Sequence, residues 1–203
     1  MNTRILSLAL ACTAALTLGA CSTGTMNSRD SMSSANASAS ASAGANPMVG
    51  GAAMLRTRDI IDNAVNSADH TTLVAAVKAA GLVDTLKGTG PFTVFAPTNA
   101  AFAKLPAGTV DTLLQAQNKP MLTTVLTYHV VPGRVDAAEI GRLIRAGGGS
   151  AALKTVQGGT LTARMRGSDV VIVDAKGGTS VVTTANVYQS NGVIHVVDTV
   201  LMP

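Results

Sequence analysis

Hydrophobic positions along the chain fall into three regimes. Ile5 to about Leu18 is an apolar run without a charge. Residues 21–54 show no apolar period at all. From residue 55 onward, helical and strand periods take over. Ile60, Ile61, Ala64 and Val65 recur at helical spacing, which predicts a short helix over 58–67. Leu73, Val74 and Val77 form one face of a second helix over 70–80, with Thr71 or Thr72 as its cap and Gly81 as its left-handed stop. A turn of helix over 83–86 leads to the Gly88-Thr89-Gly90-Pro91 turn. Residues 91–96 (PFTVFA) are β-branched and aromatic and predict a strand, which Pro97 ends. Thr98 then caps a helix through Phe102. Helices follow over about 110–116 and 121–127, a short strand over 128–131, and a helix starting at Asp136.

After Gly149 the pattern is all strand. Short β runs over 153–156, 161–166, 170–173, 181–184 and 193–197 are separated by Gly158-Gly159, Gly167-Ser168, Gly177-Gly178 and Asn191-Gly192, pairs that suit tight turns. Helices and one strand come first and a meander follows, so the fold class is α+β, not alternating βαβ. No repeat and no second domain is visible. The globular part spans 55–203, enough chain for one good core.

The first two regimes concern address, not fold. Residues 1–20 have one early positive charge, Arg4, and an apolar run too short for a span of about 20 residues, and predict a signal peptide. Leu18-Gly19-Ala20-Cys21 resembles the lipobox of bacterial lipoprotein signals, in which the cysteine is acylated and becomes the new N-terminus. That resemblance implies lipidation at Cys21 and, in a Gram-negative cell, the outer membrane, on its periplasmic or surface side. Residues 21–54 are rich in Ser, Ala, Gly and Asn and predict a disordered linker. As a flexible coil of roughly 30 residues it would hold the domain about 30 Å from its anchor.

Cysteine usage narrows the chemistry. The chain has two cysteines, Cys12 and Cys21, so the domain after the signal carries no disulfide, thiol nucleophile or thiolate metal site. A net charge of +4 is mild; it allows attraction to acidic glycans or a membrane surface without demanding either. His129 with Asp136 or Asp198 makes a nucleophilic triad only on paper, because no nucleophile elbow accompanies it. His70, His129 and His195 lie on separate elements with no paired ligand spacing, which argues against zinc. Residues 146–150 (AGGGS) lack the Lys of a phosphate loop and read as a loop or hairpin. The expectation is no enzyme, no cofactor, no metal and no nucleic-acid partner. His129 fits a buried polar clip instead, bonded to backbone or to Thr98 or Asn99 and joining the block around Phe95 to its own. His195, amid Val193–Val197, reads as a strand histidine covered by its neighbours. Arg164 and Arg166 share one strand face, and with Lys154 they form a candidate basic patch for an acidic partner.

All five aromatic residues fall in three places: Phe92, Phe95 and Phe102; Tyr128; and Tyr188. Rare large side chains anchor cores. Those places carry a family resemblance. GPFTVFAPTNAAFAKLP (90–106) resembles the first signature block of fasciclin (FAS1) domains, VLTYHVVPGRV (125–135) the second with its Tyr-His pair, and SNGVIHVVDTVLMP (190–203) the closing block. The resemblance covers 55–203 and is strongest to bacterial single-domain FAS1 lipoproteins. It implies a wedge of two β-sheets, about seven strands, with helices packed against it, and Phe92, Phe95, Thr98, Phe102 and His195 as structural motif residues. It implies adhesion or extracellular interaction without catalysis. Tyr-His segments of animal FAS1 proteins are implicated in integrin binding, which makes Tyr128 and His129 candidate interaction residues. Two departures stand out: Asn99-Ala100-Ala101 where acidic residues are usual, and His70 where an aromatic is common. The expected function is a cell-envelope interaction module on a lipid tether, a monomer whose partner is an extracellular or envelope protein or an acidic glycan. The alternative is a binder of a small apolar ligand or lipid between the sheets.

Overall fold

The computed structural model describes residues 46–203. The predicted signal peptide, Cys21 and the linker up to residue 45 lie outside the described residues. The first elements are a small hairpin of β1 (Met48–Val49) and β2 (Ala52–Ala53). Three helices follow: α1 (Ile60–Ala64), α2 (Thr71–Ala80) and α3 (Val83–Lys87). Strand β3 (Phe92–Pro97) leads to α4 (Asn99–Ala103), α5 (Thr109–Leu114) and α6 (Lys119–Tyr128). Strand β4 (Val130–Pro132) and α7 (Ala137–Ala146) complete the first part. The meander comprises β5 (Ser150–Lys154), β6 (Thr160–Arg166), β7 (Asp169–Val173), β8 (Thr179–Gln189) and β9 (Gly192–Val197).

Seven strands form one hydrogen-bonded ladder in the order β4-β3-β9-β8-β7-β6-β5. Every neighbouring pair is antiparallel except β3 and β9, which run parallel with Phe95 opposite His195. The two-layered form arises at β8. Its first residues pair with β7 and the remainder with β9, and register shifts between Val182 and Thr184 and between Thr184 and Val187 bend it. Such bulges kink a strand and raise its twist. The far edges of the ladder then meet, where the Val156 N–H donates to the Val130 carbonyl at 2.7 Å.

Two cores result. Val94, Ala96, Val130, Ile194 and Val196 face the helical layer, packing with Leu73 and Leu126. Phe95, Val131 and Val197 point the other way, toward Ile140, Leu161 and Ile172. β3 and β9 are thus covered on both faces, which explains why they read as continuous apolar runs, not alternating ones.

Local sequence accounts for several helix ends. The Thr98 hydroxyl accepts from the Ala101 N–H at 3.2 Å and starts α4; the Asp136 carboxylate accepts from the Glu139 N–H at 2.9 Å and starts α7. Gly81 closes α2 at φ 73°. Neither Thr71 nor Thr72 caps α2. Its cap comes from another segment: Asn99 Oδ1 accepts from the Thr72 N–H at 3.0 Å, while Asn99 Nδ2 donates to the Ala68 carbonyl at 2.8 Å.

Three boundaries differ from the sequence-based expectation. Tyr128 and His129 are not strand residues: Tyr128 ends α6 and His129 is its C-cap, with the strand starting at Val130. β8 runs on to Gln189, past the expected end at 184. The linker was expected through residue 54, yet Val49 and Met54 are buried in the helix-facing core and Ala68 donates to the Gly50 carbonyl at 3.1 Å. The folded part therefore starts before residue 55.

Candidate functional site

The junction at the end of α6 concentrates the polar residues singled out from the sequence. α6 delivers Tyr128 and His129 inward together, and both are buried, at 1% and 3% exposure. His129 Nδ1 lies 2.8 Å from the Val125 carbonyl, one helical turn back, and its Nε2 lies 3.0 Å from the Leu201 nitrogen. A carbonyl only accepts and an amide only donates, so Nδ1 carries the proton and Nε2 is the acceptor. The His129 carbonyl also accepts from the Phe95 N–H at 2.9 Å. The imidazole therefore clips α6 to the chain terminus, and Thr98 and Asn99, expected as its side-chain partners, bond elsewhere. Burial pushes its pKa down to about 4, opposed by the Val125 carbonyl and the Asp174 charge.

The Tyr128 hydroxyl donates to the Thr160 carbonyl and accepts from the Ala175 N–H, each at 3.0 Å. With both members of the pair buried and their polar atoms engaged, Tyr128 and His129 offer no contact surface in this conformation. The bonds they make here are bonds of the fold, joining α6 to residues 160, 175 and 201.

The terminal residues are held by a series of side chains that sequence reasoning missed. Ser180 Oγ donates to the Thr199 carbonyl at 2.8 Å and accepts from its N–H at 3.0 Å. Asp174 Oδ2 accepts from the Met202 N–H at 3.0 Å, and its Oδ1 folds the loop after β7 by accepting from the Lys176 and Gly178 N–H groups. The Asp-x-x-x-Gly spacing over 174–178 was the available signal for that turn.

The other two histidines are also interior. His195 is fully buried, stacked on Phe95 with ring centroids 5.6 Å apart, and its Nε2 donates to the Val135 carbonyl at 2.9 Å. His70 lies 2.9 Å from the Ser67 hydroxyl through Nδ1. Burial lowers both pKa values; nearby Asp136 and Asp69 respectively oppose it. Phe95 and Phe102 are buried and Phe92 is half-buried, in line with core roles. Among the described residues, no three His, Cys, Asp or Glu side chains converge as metal ligands.

The candidate basic residues share one exposed face of β5 and β6. Arg164 and Arg166 are neighbours on that face. Lys154 sits opposite Thr160, four strand positions from Arg164, or about 13 Å. Asp169 lies directly across from Arg166. The face thus holds two adjacent arginines, and the three residues do not converge.

A cavity of about 40 Å³ lies between the helical layer and the sheet, lined by Leu73, Val77, Val94, Ile194, His70 and other residues. It is closer in scale to one water, about 30 Å³, than to the 300 Å³ or more of small-molecule sites.

A ladder folded about β8, with α1–α6 packed in one core and α7 in the other, is the FAS1 architecture. The chain belongs to the fasciclin domain family, whose pattern matches residues 68–203. It is 45% identical to protein sll1483 of Synechocystis over 156 residues, covering 77% of this chain and 79% of that one. It is 38% identical over 145 residues to immunogenic protein MPB70 of Mycobacterium bovis, covering 69% of this chain and 66% of that one. Cell surface glycolipoprotein MPB83 of the same species is 34% identical over 164 residues, covering 78% and 67%. The fold matches a FAS1 domain pair from the insect cell adhesion molecule fasciclin I, with a TM-score of 0.64 at 19% identity, over 72% of this chain and about half (51%) of the pair.

Proposed function

We propose that this protein is a non-enzymatic interaction module of the cell envelope, carried on an N-terminal lipid tether. The observation that carries the reading is the fate of its reactive side chains: the three histidines are all interior, two of them bonded to backbone groups that hold the fold. That leaves a binding role for the exterior. Family membership and the surface location stated in the name of MPB83 support the same reading. The lipobox-like Cys21 and the Ser/Ala/Gly-rich stretch after it supply the tether. Two or more acyl chains, each worth roughly 0.8 kcal/mol per buried methylene, would anchor such a domain firmly.

The test is metabolic labelling with a fatty-acid analogue in the native cell. The wild-type chain takes up label and fractionates with membranes; Cys21→Ser does neither. A wild-type chain without label, located as Cys21→Ser is, refutes the tether. Binding of a lipid between the sheets gains no support from the small helix-side cavity.

A further inference from the structure

The turn before β3 and the turn between β8 and β9 meet in a polar cleft of about 530 Å³. Its floor is backbone against backbone. A Cβ on Gly90 would sit 2.0 Å from the Asn191 carbonyl oxygen, and one on Gly192 would sit 2.1 Å from the Phe92 oxygen. Contacts that close admit only glycine, so the floor cannot be re-shaped by side chains. Asn191 locks it. Its Nδ2 donates to the Leu86 carbonyl at 2.7 Å, its Oδ1 accepts from the Ile60 N–H at 3.1 Å, and its carbonyl accepts from the Phe92 N–H at 3.1 Å. One side chain and two glycines thus fix α1, α3, β3 and the β8–β9 turn in one arrangement.

The open side of this cleft is chemically different. Arg134 lines it, exposed; its one hydrogen bond among the described residues is a long 3.4 Å contact to the Gln189 carbonyl. A guanidinium has five donors, so most of them remain for a ligand. The side chains of Thr89 and Ser190 are exposed beside it, and Lys87 and Asp59 complete the wall. Lys87 is already matched by Asp62 at 2.6 Å and Asp59 at 3.8 Å. Lys87 thus faces two carboxylates, and the cation of the cleft wall with no carboxylate partner among the described residues is Arg134, a group that binds carboxylates in bidentate fashion. Tyr188, near the end of β8, carries the Arg56 guanidinium 5.1 Å from its ring centroid.

We propose that this cleft binds an acidic saccharide, with Arg134 on the carboxylate of a uronate ring and Thr89, Ser190 and Asp59 on its hydroxyls. One free cation among hydroxyls and a carboxylate suits a ligand with one charge per ring. It disfavours densely charged phosphates, which Asp59 would repel. Pro91 is the single apolar wall residue, which gives a peptide no pocket for an anchoring side chain. A rigid floor lowers the ordering cost of binding. This inference rests on the interaction-module reading and names its partner class and site.

Calorimetric titration of the purified full chain at physiological ionic strength tests it, using oligogalacturonides, galacturonate monomer and neutral galactan oligomers of equal length. The expected result is saturable binding of the acidic oligomer, none of the neutral one, and at least tenfold weaker binding by Arg134→Gln. The double variant Arg164→Gln/Arg166→Gln binds as wild type. Binding of the monomer at the same site assigns a free sugar acid, and binding of the oligomer alone assigns a polymer; both fit the proposal. No acidic binding, equal binding of the neutral oligomer, or an Arg134→Gln variant that binds normally overturns it. Retention of the same wild-type protein on native envelope material, measured in parallel, separates the two readings. If the protein is retained there without any uronate affinity, this site assignment alone fails; if it is retained on neither, the interaction reading falls as well.

Discussion

His129 shows how one residue's chemistry is set by its surroundings. As a neutral ring it satisfies a helix carbonyl and the Leu201 N–H at once. Protonation would place an N–H against an N–H and cost the second bond. The sign of the pH effect follows. The unfolded ring titrates near 6.5 and the folded one near 4, so the unfolded state binds the proton first. The stabilisation is complete above pH 6.5 and is lost as pH falls from there toward 4, a total on the order of 3 kcal/mol. His70 and His195, also lowered, act in the same direction. His129→Gln should lose roughly 1–3 kcal/mol at pH 7, at about 2–4 °C of unfolding midpoint per kcal/mol. Its midpoint should then fall less steeply than wild type between pH 6.5 and 4. A variant as stable as wild type at pH 7, with the same acid slope, removes His129 from its structural role. The sequence showed that a histidine in an apolar run needs partners. It could not show that one partner lies 72 positions away, at the chain's end.

At the scale of elements, legibility tracked how local the cause was. Thr98 and Asp136 cap the helices beside them, and Gly81 stops its own; each was readable because donor and acceptor lie within one turn. Asn99 was not, because it caps a helix 27 residues earlier. Read locally, it looked like a missing acidic residue. Asn99→Ala should cost about 0.5–2 kcal/mol. Amide hydrogen exchange at Thr72 should rise roughly two- to thirtyfold if that loss is felt locally. Exchange unchanged at Thr72 would mean that α2 does not depend on this cap. The second half of β8 escaped notice for a related reason. Its bulges and the left-handed Asn186, at φ 61°, break the alternation that marks a strand. Tyr128 and His129 misled in the opposite sense, since aromatic and β-branched neighbours favour strands until tertiary packing decides.

At the scale of the whole molecule, the same few residues recur. Asn191, the Phe95–His195 stack and the pinned residues 199–202 tie first, second and closing blocks together. The N-terminal hairpin had no such signal: two two-residue strands in a Gly/Ala-rich run are specified by the core they cover, not by their own sequence. Binding at the exterior does not depend on the tether. The most direct measurement is the association of the Cys21→Ser full chain with isolated cell-envelope material, as a function of protein concentration. Saturable, competable retention without the lipid is expected. Retention that is absent, or that rises linearly without saturating, would contradict it.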